Sequence, residues 1–321
     1  MPSIGVGTWA WGNQFLWGYD PAQDAELEAT FGRAVALGLH FFDTADSYGT
    51  GRLQGRSEAL LGRFSAALTP QQRQKLCVAT KLAPFPWRLG RSGFKRAFQA
   101  SHQRLQGKLD RVQLHWSTAR YAPWQEGPLL DGLADLVEGG AVASLGLSNM
   151  GPRRLRQVHG RLRQRGIRVA SLQVQLSLLA TQPLVPGGVA EVCRELGIDL
   201  IAYSPLALGL LARPLGGFDQ PLREPVGTRR ALFSRLQPRI VPLLEVLAAI
   251  AQERQVSQVT VALNWCRSHG AMPIVGLRTL AQVEAAAAAA HWCLSDAERQ
   301  ALDAAAAGLS VQMPANPFCS D

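Results

Sequence analysis

The 321 residues are 47% hydrophobic and 18% charged, an ordinary balance with enough apolar material for a sizeable core. The net charge of +9 comes mainly from scattered arginines; only Lys75, Lys81, Lys95 and Lys108 are lysines, and no aromatic-basic module accompanies them, so nucleic-acid binding is not expected. Five well-separated cysteines without CxxC or zinc spacing read as reduced thiols rather than a metal site, and no apolar run approaches the ~20 residues of a membrane span.

In chain order, a β-rich run over residues 3–9 (SIGVGTW) comes first. Residues 24–37 carry an apolar stripe of Leu27, Phe31, Ala34 and Val35 at helical spacing. Strands are then predicted over 39–45, 75–82, 110–116, 142–149, 169–176, 198–205 and 272–277. Helical periodicity falls between them, over 57–64, 93–105, 129–138, 152–165, 187–196 and 241–254. Residues 257–267 form another helix with Ser257 as its N-cap. Residues 206–238, rich in Gly, Pro and Arg, read as a long loop or lid, and the Ala-rich stretch 283–310 as terminal helices.

Eight strands alternating with helices over this length predict a single α/β domain spanning 1–321, a (β/α)8 TIM barrel. An open doubly wound sheet is the rival. It wants a glycine fingerprint leading into a helix, whereas GVGTWAWG leads into NQFLWGYDP.

In such a barrel the C-terminal strand ends face the site. Here they carry Gly7-Thr8-Trp9, then Asp43 with Tyr48 close behind, then Lys81, His115, Ser148-Asn149, Gln173, Tyr203-Ser204, and finally Gly276 with Arg278. A lysine in a barrel mouth needs a partner, and Asp43 on the neighbouring strand is the obvious one. Lys81 beside the Tyr48 hydroxyl would lower its pKa and make it a general acid near neutrality, with His115 bonding a carbonyl oxygen. Asp43–Lys81 could equally be a structural ion pair. Asp46 reads as a turn former. A Schiff-base aldolase on Lys81 is a rival, weakened because Asp43 would keep the amine charged. Of six histidines only His115 ends a strand, which speaks against metal hydrolysis. Trp9, Trp11, Trp17, Trp87, Trp116 and Trp124 are candidates to line an apolar pocket.

Seven stretches in order, FFDTADSYG, VATKL, LHW, GLSN, QVQLSLL, AYSPLALGLL and PIVGLRTLAQVE, resemble the aldo-keto reductases, most closely the plant and bacterial type with a long seventh-strand loop. The resemblance implies an enzyme that reduces a small-molecule aldehyde or ketone with NADP(H). Tyr48 would be proton donor, supported by Asp43, Lys81 and His115. Ser148, Asn149 and Gln173 would hold the nicotinamide carboxamide and Tyr203 would stack on its ring. Ser204, Pro205, Leu206 and Gly209 would follow the pyrophosphate in the cofactor loop 206–238, and Arg278 would take the 2′-phosphate, with Gln282 near the adenosine. Gly7, Thr8, Trp9 and Gly276 would border the cofactor. The alternative is an NADPH-binding, redox-sensing subunit with slow turnover. Ala285 and Ala286 stand where the family places an acid and an asparagine against the adenine. The N-terminal hairpin that plugs the barrel floor is expected to be absent or trimmed, leaving a bare floor. A cytoplasmic protein is expected, with a monomer favoured.

Overall fold

A computed structural model describes residues 4–213, 225 and 227–320. Eight parallel strands close in chain order into a barrel. They are β1 (Gly5–Gly7), β2 (Phe41–Ala45), β3 (Cys77–Leu82), β4 (Arg111–Leu114), β5 (Ser144–Ser148), β6 (Val169–Gln175), β7 (Asp199–Tyr203) and β8 (Ala271–Gly276). β8 returns to β1, pairing Ile274 with Gly5 and Gly276 with Gly7. This is the (β/α)8 barrel that the strand count predicts.

Period-2 alternation sorts the strand residues into two cores. Phe42, Val78, Val112, Leu145, Leu172 and Val275 face outward and join the helices in the main core. Phe41, Ala79, Ile201, Met272 and Ile274 form a separate cluster inside the barrel. Gly5 allows that cluster to close: a Cβ there would lie 2.8 Å from both Ile274 and Phe41. The floor is not bare. Arg111, first residue of β4, donates to Ser144 Oγ and Ser171 Oγ, both at 3.0 Å, and its guanidinium sits 5.7 Å from the Phe41 ring centroid. Phe41 and Met272 are buried beneath it.

The amphipathic helices appear where periodicity puts them, for example Asp24–Ala36, Pro152–Gln164 and Val241–Glu253. Ser257 caps Gln258–Ser268 by accepting the Thr260 N–H. Pro123–Glu138 begins six residues before its periodicity does, because Pro123 sits comfortably at a helix start and Pro128 is tolerated inside. The Ala-rich stretch is broken: Leu280–Ala288 ends, Trp292 is extended, and Ser295 starts Asp296–Ala307 through a capping box with Glu298. Residues 206–238 are not a plain loop. They include a short segment, Ala207–Ala212, whose helical hydrogen bonding is interrupted by a kink at Leu208 and Gly209, and the helix Gly227–Leu236; residues 214–224 and 226 lie outside the described residues. Among the described residues no helix is long and apolar enough to cross a membrane.

Candidate active site

A cleft of about 1630 Å³ opens across the C-terminal strand ends. That exceeds the roughly 300–1,000 Å³ of a typical small-ligand pocket, room for an extended dinucleotide beside a second molecule.

At its base Lys81 and Asp43 form an ion pair, each 1% exposed, between Nζ and Oδ2. Lys81 Nζ also donates to the Thr44 carbonyl at 2.8 Å and stands 4.9 Å from the Tyr48 ring centroid. The His115 ring meets the Tyr48 ring edge-on, with centroids 5.9 Å apart. The four residues at successive strand ends thus converge. Their electrostatics differ from expectation in one respect. Burial raises the Tyr48 pKa above its ordinary 10, and Lys81 only partly offsets this because Asp43 opposes it. Tyr48 is therefore held protonated, not acidified. Burial also depresses Lys81, but Asp43 and then Tyr48 outweigh it, and the ammonium is held above its ordinary range. That disfavours Lys81 as a Schiff-base nucleophile. His115 is pushed well below 6.5 by burial, then by Lys81 and Arg88, so it is a neutral imidazole.

Asp46 does more than form a turn. Fully enclosed, it pairs with Arg88 and accepts the Ala83 N–H at 3.2 Å, tying the loop after β2 to that after β3. Burial raises its pKa to about 6 against the pull of Arg88.

Along the next wall Ser148 Oγ donates to the Gln173 carbonyl, and Asn149 Nδ2 donates to the His115 carbonyl at 3.0 Å. Asn149 Oδ1 accepts from the Tyr203 hydroxyl at 2.9 Å and from Asn316 Nδ2 at 3.1 Å. Gln173 Nε2 gives one of its two N–H donors to Asp43 Oδ1 at 2.8 Å. Asn149 (φ 58°) is left-handed, as are Ser204, Ala207 and Leu208 (φ 51°, 48° and 60°), followed by Gly209. Such non-glycine positions are costly, and their clustering after β7 marks a backbone shaped for a ligand.

Farther along, three guanidiniums gather on the cleft. Arg229 lies 4.1 Å over the Trp17 ring and donates to the Leu208 carbonyl, Arg278 donates to the Trp17 carbonyl at 2.8 Å, and Arg213 packs on Phe233. Burial, then Arg278 and Arg213, pull the Arg229 pKa down to about 10, and its buried Nε has no hydrogen-bond partner among the described residues. Beside them the helix Leu280–Ala288 starts under a Thr279 cap, and Gln282 accepts the Arg278 N–H at 2.8 Å. Cations plus a helix N-terminus suit a polyanion.

Of the expected border residues, Gly7, Trp9, Pro205, Leu206, Gly209 and Gly276 line the cleft. Thr8 does not: its hydroxyl is turned into a buried network with Ser57 and the Asp43 carbonyl. Ala285 lines the cleft, whereas Ala286 is buried in the core. Among the tryptophans, Trp9, Trp17 and Trp116 line the cleft. Trp11 is wholly buried with its indole N–H on the Leu277 carbonyl, and Trp87 and Trp124 are 70% and 71% exposed outside it. Sequence reasoning misses Arg213, Arg229, Gln113, Asn316 and Phe318. The last two lie on a C-terminal tail that crosses the cleft; Phe318 stacks on Trp116 with ring centroids 4.4 Å apart. Among the described residues no cluster of His, Cys, Asp and Glu could hold a metal.

Residues 3–307 match the aldo/keto reductase family. The chain belongs to that family. It is 44% identical to the pyridoxal reductase, chloroplastic, of Arabidopsis thaliana over 98% of this chain and 86% of that protein. An uncharacterised oxidoreductase of Mycobacterium bovis is 35% identical over 94% and 88%. Among solved structures, an aldo-keto reductase from Klebsiella pneumoniae in complex with NADPH superposes with a TM-score of 0.72 at 25% identity, covering 95% of this chain and 90% of that one. The resemblance of this aldo-keto reductase to its family, read from seven short motifs, thus holds over nearly the whole chain.

Proposed function

We propose that this aldo-keto reductase is an NADPH-dependent carbonyl reductase in which Tyr48 gives the proton. The observation that carries this is the cluster of buried Asp43 and Lys81 with half-buried Tyr48 and His115 at the base of a cleft whose far end gathers Arg213, Arg229 and Arg278. The residues fit the cofactor: a buried guanidinium Nε with no partner among the described residues and a capped helix start suit its phosphates. Arg278 with Arg229 and Gln282 would take the adenosine phosphate end. Ser204, Pro205, Leu206 and Gly209, in a stretch where Ser204, Ala207, Leu208 and Gly209 are left-handed, would follow the pyrophosphate. Tyr203, Asn149, Ser148 and the Gln173 carbonyl amide group would hold the nicotinamide. When bound, the cofactor supplies a hydride to a carbonyl carbon. Tyr48, kept protonated by burial, donates its hydroxyl proton to the carbonyl oxygen as negative charge develops there. Lys81, fixed as an ammonium by Asp43, stabilises the phenolate that remains. Neutral His115 donates its one ring N–H to the same oxygen and carries no second proton to compete with that of Tyr48.

The substrate end is walled by Trp9, Trp116 and Phe318, which favours a planar aromatic aldehyde. The name of the 44% identical relative makes pyridoxal the first compound to try. The wild type is expected to oxidise NADPH on adding pyridoxal or a related aromatic aldehyde. Tyr48→Phe is expected to bind NADPH as well as wild type while turning over about a thousandfold more slowly. Equal rates for the two proteins would remove Tyr48 from the chemistry.

A further inference from the structure

The barrel interior beneath Tyr48 is polar, where barrels of this kind usually place branched apolar side chains. Asp43, Lys81, Gln113 and Gln173 meet there, none more than 2% exposed. Asp43 Oδ1 accepts two amide hydrogen bonds, from Gln113 Nε2 at 2.9 Å and from Gln173 Nε2 at 2.8 Å, while Oδ2 takes Lys81. We propose that Gln113 is a positioning residue of this enzyme: by holding Oδ1 from β4, it fixes Oδ2 on the Lys81 ammonium and thereby sets the environment of Tyr48. This rests on the role given to Tyr48 and Lys81 above.

Three observations separate Gln113 from a space filler and from a ligand-binding group. Gln173 lines the cleft but Gln113 does not, so Gln113 reaches the chemistry only through Asp43. Its Oε1 is buried with no partner among the described residues, a cost that a leucine of similar volume would avoid. The Nε2 bond to Asp43 is what the amide supplies in return, and rules of core polarity are broken mainly at functional sites. Finally, the neighbouring strand makes room for it: a Cβ on Gly146 would come within 3.0 Å of Gln113 Cγ, 3.1 Å of its Oε1 and 2.8 Å of Ser171 Oγ.

The chain has only four lysines, so lysine-selective isotope labelling, with Lys81→Met for assignment, gives a Lys81 signal that reports its charge without turnover. Lys81 is faced by Asp43 from β2, by Tyr48 from the loop after β2 and by His115 after β4, with Arg88 behind His115. In Gln113→Leu, Lys81 is expected to titrate at lower pH than in wild type. NADPH affinity and melting temperature should be unchanged and kcat about tenfold lower, the scale of one charge-assisted hydrogen bond. Gln113→Glu is isosteric and donates to Asp43 only while protonated, so its kcat should fall as pH rises, relative to wild type. Wild-type kcat in both variants, or a Lys81 titration that neither variant moves, would overturn the proposal. A wild type that reduces no carbonyl compound, with a Lys81 titration that still moves in Gln113→Leu, would bring down the reductase reading and leave Gln113 as the holder of the Asp43–Lys81 pair.

Discussion

Tyr48 shows what a residue's neighbours do that its motif does not. Its place seven residues after Phe41 in FFDTADSYG is legible in sequence, and so is a lysine one strand away. The degree of burial is not, and burial decides the sign: the hydroxyl is raised above its ordinary range despite Lys81. A difference titration of wild type against Tyr48→Phe should accordingly show no Tyr48 phenolate below pH 10 in the cofactor-free protein. Asp46 was equally opaque, because Arg88, its partner, is 42 residues away. Its carboxyl titrates near 6 when folded and near 3.8 when unfolded, so the folded state binds the extra proton between those values. Stability contributed there is present at low pH and lost as pH rises through about 6. The gap corresponds to roughly 3 kcal/mol. Denaturant unfolding should therefore show Asp46→Asn gaining on wild type by up to that amount from pH 4 to 7. A difference between the two that is constant with pH would mean that Asp46 is not strained by its burial.

Elements were read well where packing imposes a period and poorly where it does not. Each barrel strand was located because its alternate residues enter one of two apolar cores. Gln14–Trp17 is too short to show a period, and Pro70–Lys75 buries no residue, although Thr69 and Gln72 do spell a capping box. The helix Gly227–Leu236 hid in a stretch whose glycines and prolines suggested loop. The C-terminal tail is the clearest loss. Residues 313–320 have no periodicity, yet Met313 donates to the Leu179 carbonyl, Asn316 to Asn149 and Tyr203, and Ser320 pairs with Met150 across the cleft wall. Phe318 is 49% exposed and packs mainly on Trp116. Truncating it should scarcely change melting temperature. Steady-state kinetics of Phe318→Ala should show KM for an aromatic aldehyde rising about fivefold, the scale of one lost aromatic stack, with KM for NADPH unchanged. An unchanged aldehyde KM would take the tail out of the substrate wall.

At the scale of the molecule, the closed barrel follows from the count and order of strands, and the meeting of Asp43, Tyr48, Lys81 and His115 follows from the rule that strand ends face one cleft. The cation cluster does not. Arg213, Arg229 and Arg278 come from three separate stretches of chain, two of them between elements, and meet around Trp17 and Phe233. Among scattered arginines nothing in the sequence singles out Arg229. If this cluster receives the adenosine phosphate, NADPH should raise the melting temperature more than NADH does, and Arg278→Ala should abolish that difference by calorimetry. Equal shifts from both cofactors in wild type would place the 2′-phosphate elsewhere.

The central claim is that one cleft joins hydride transfer to a proton from Tyr48. The most direct test supplies NADPH deuterated at the transferable nicotinamide position, with pyridoxal as acceptor, in a single turnover. The account predicts an alcohol carrying deuterium on the former carbonyl carbon with wild type, and almost none over the same interval with Tyr48→Phe loaded with the same cofactor. Consumption of NADPH without deuterium in the alcohol, or equal label from both proteins, would contradict it.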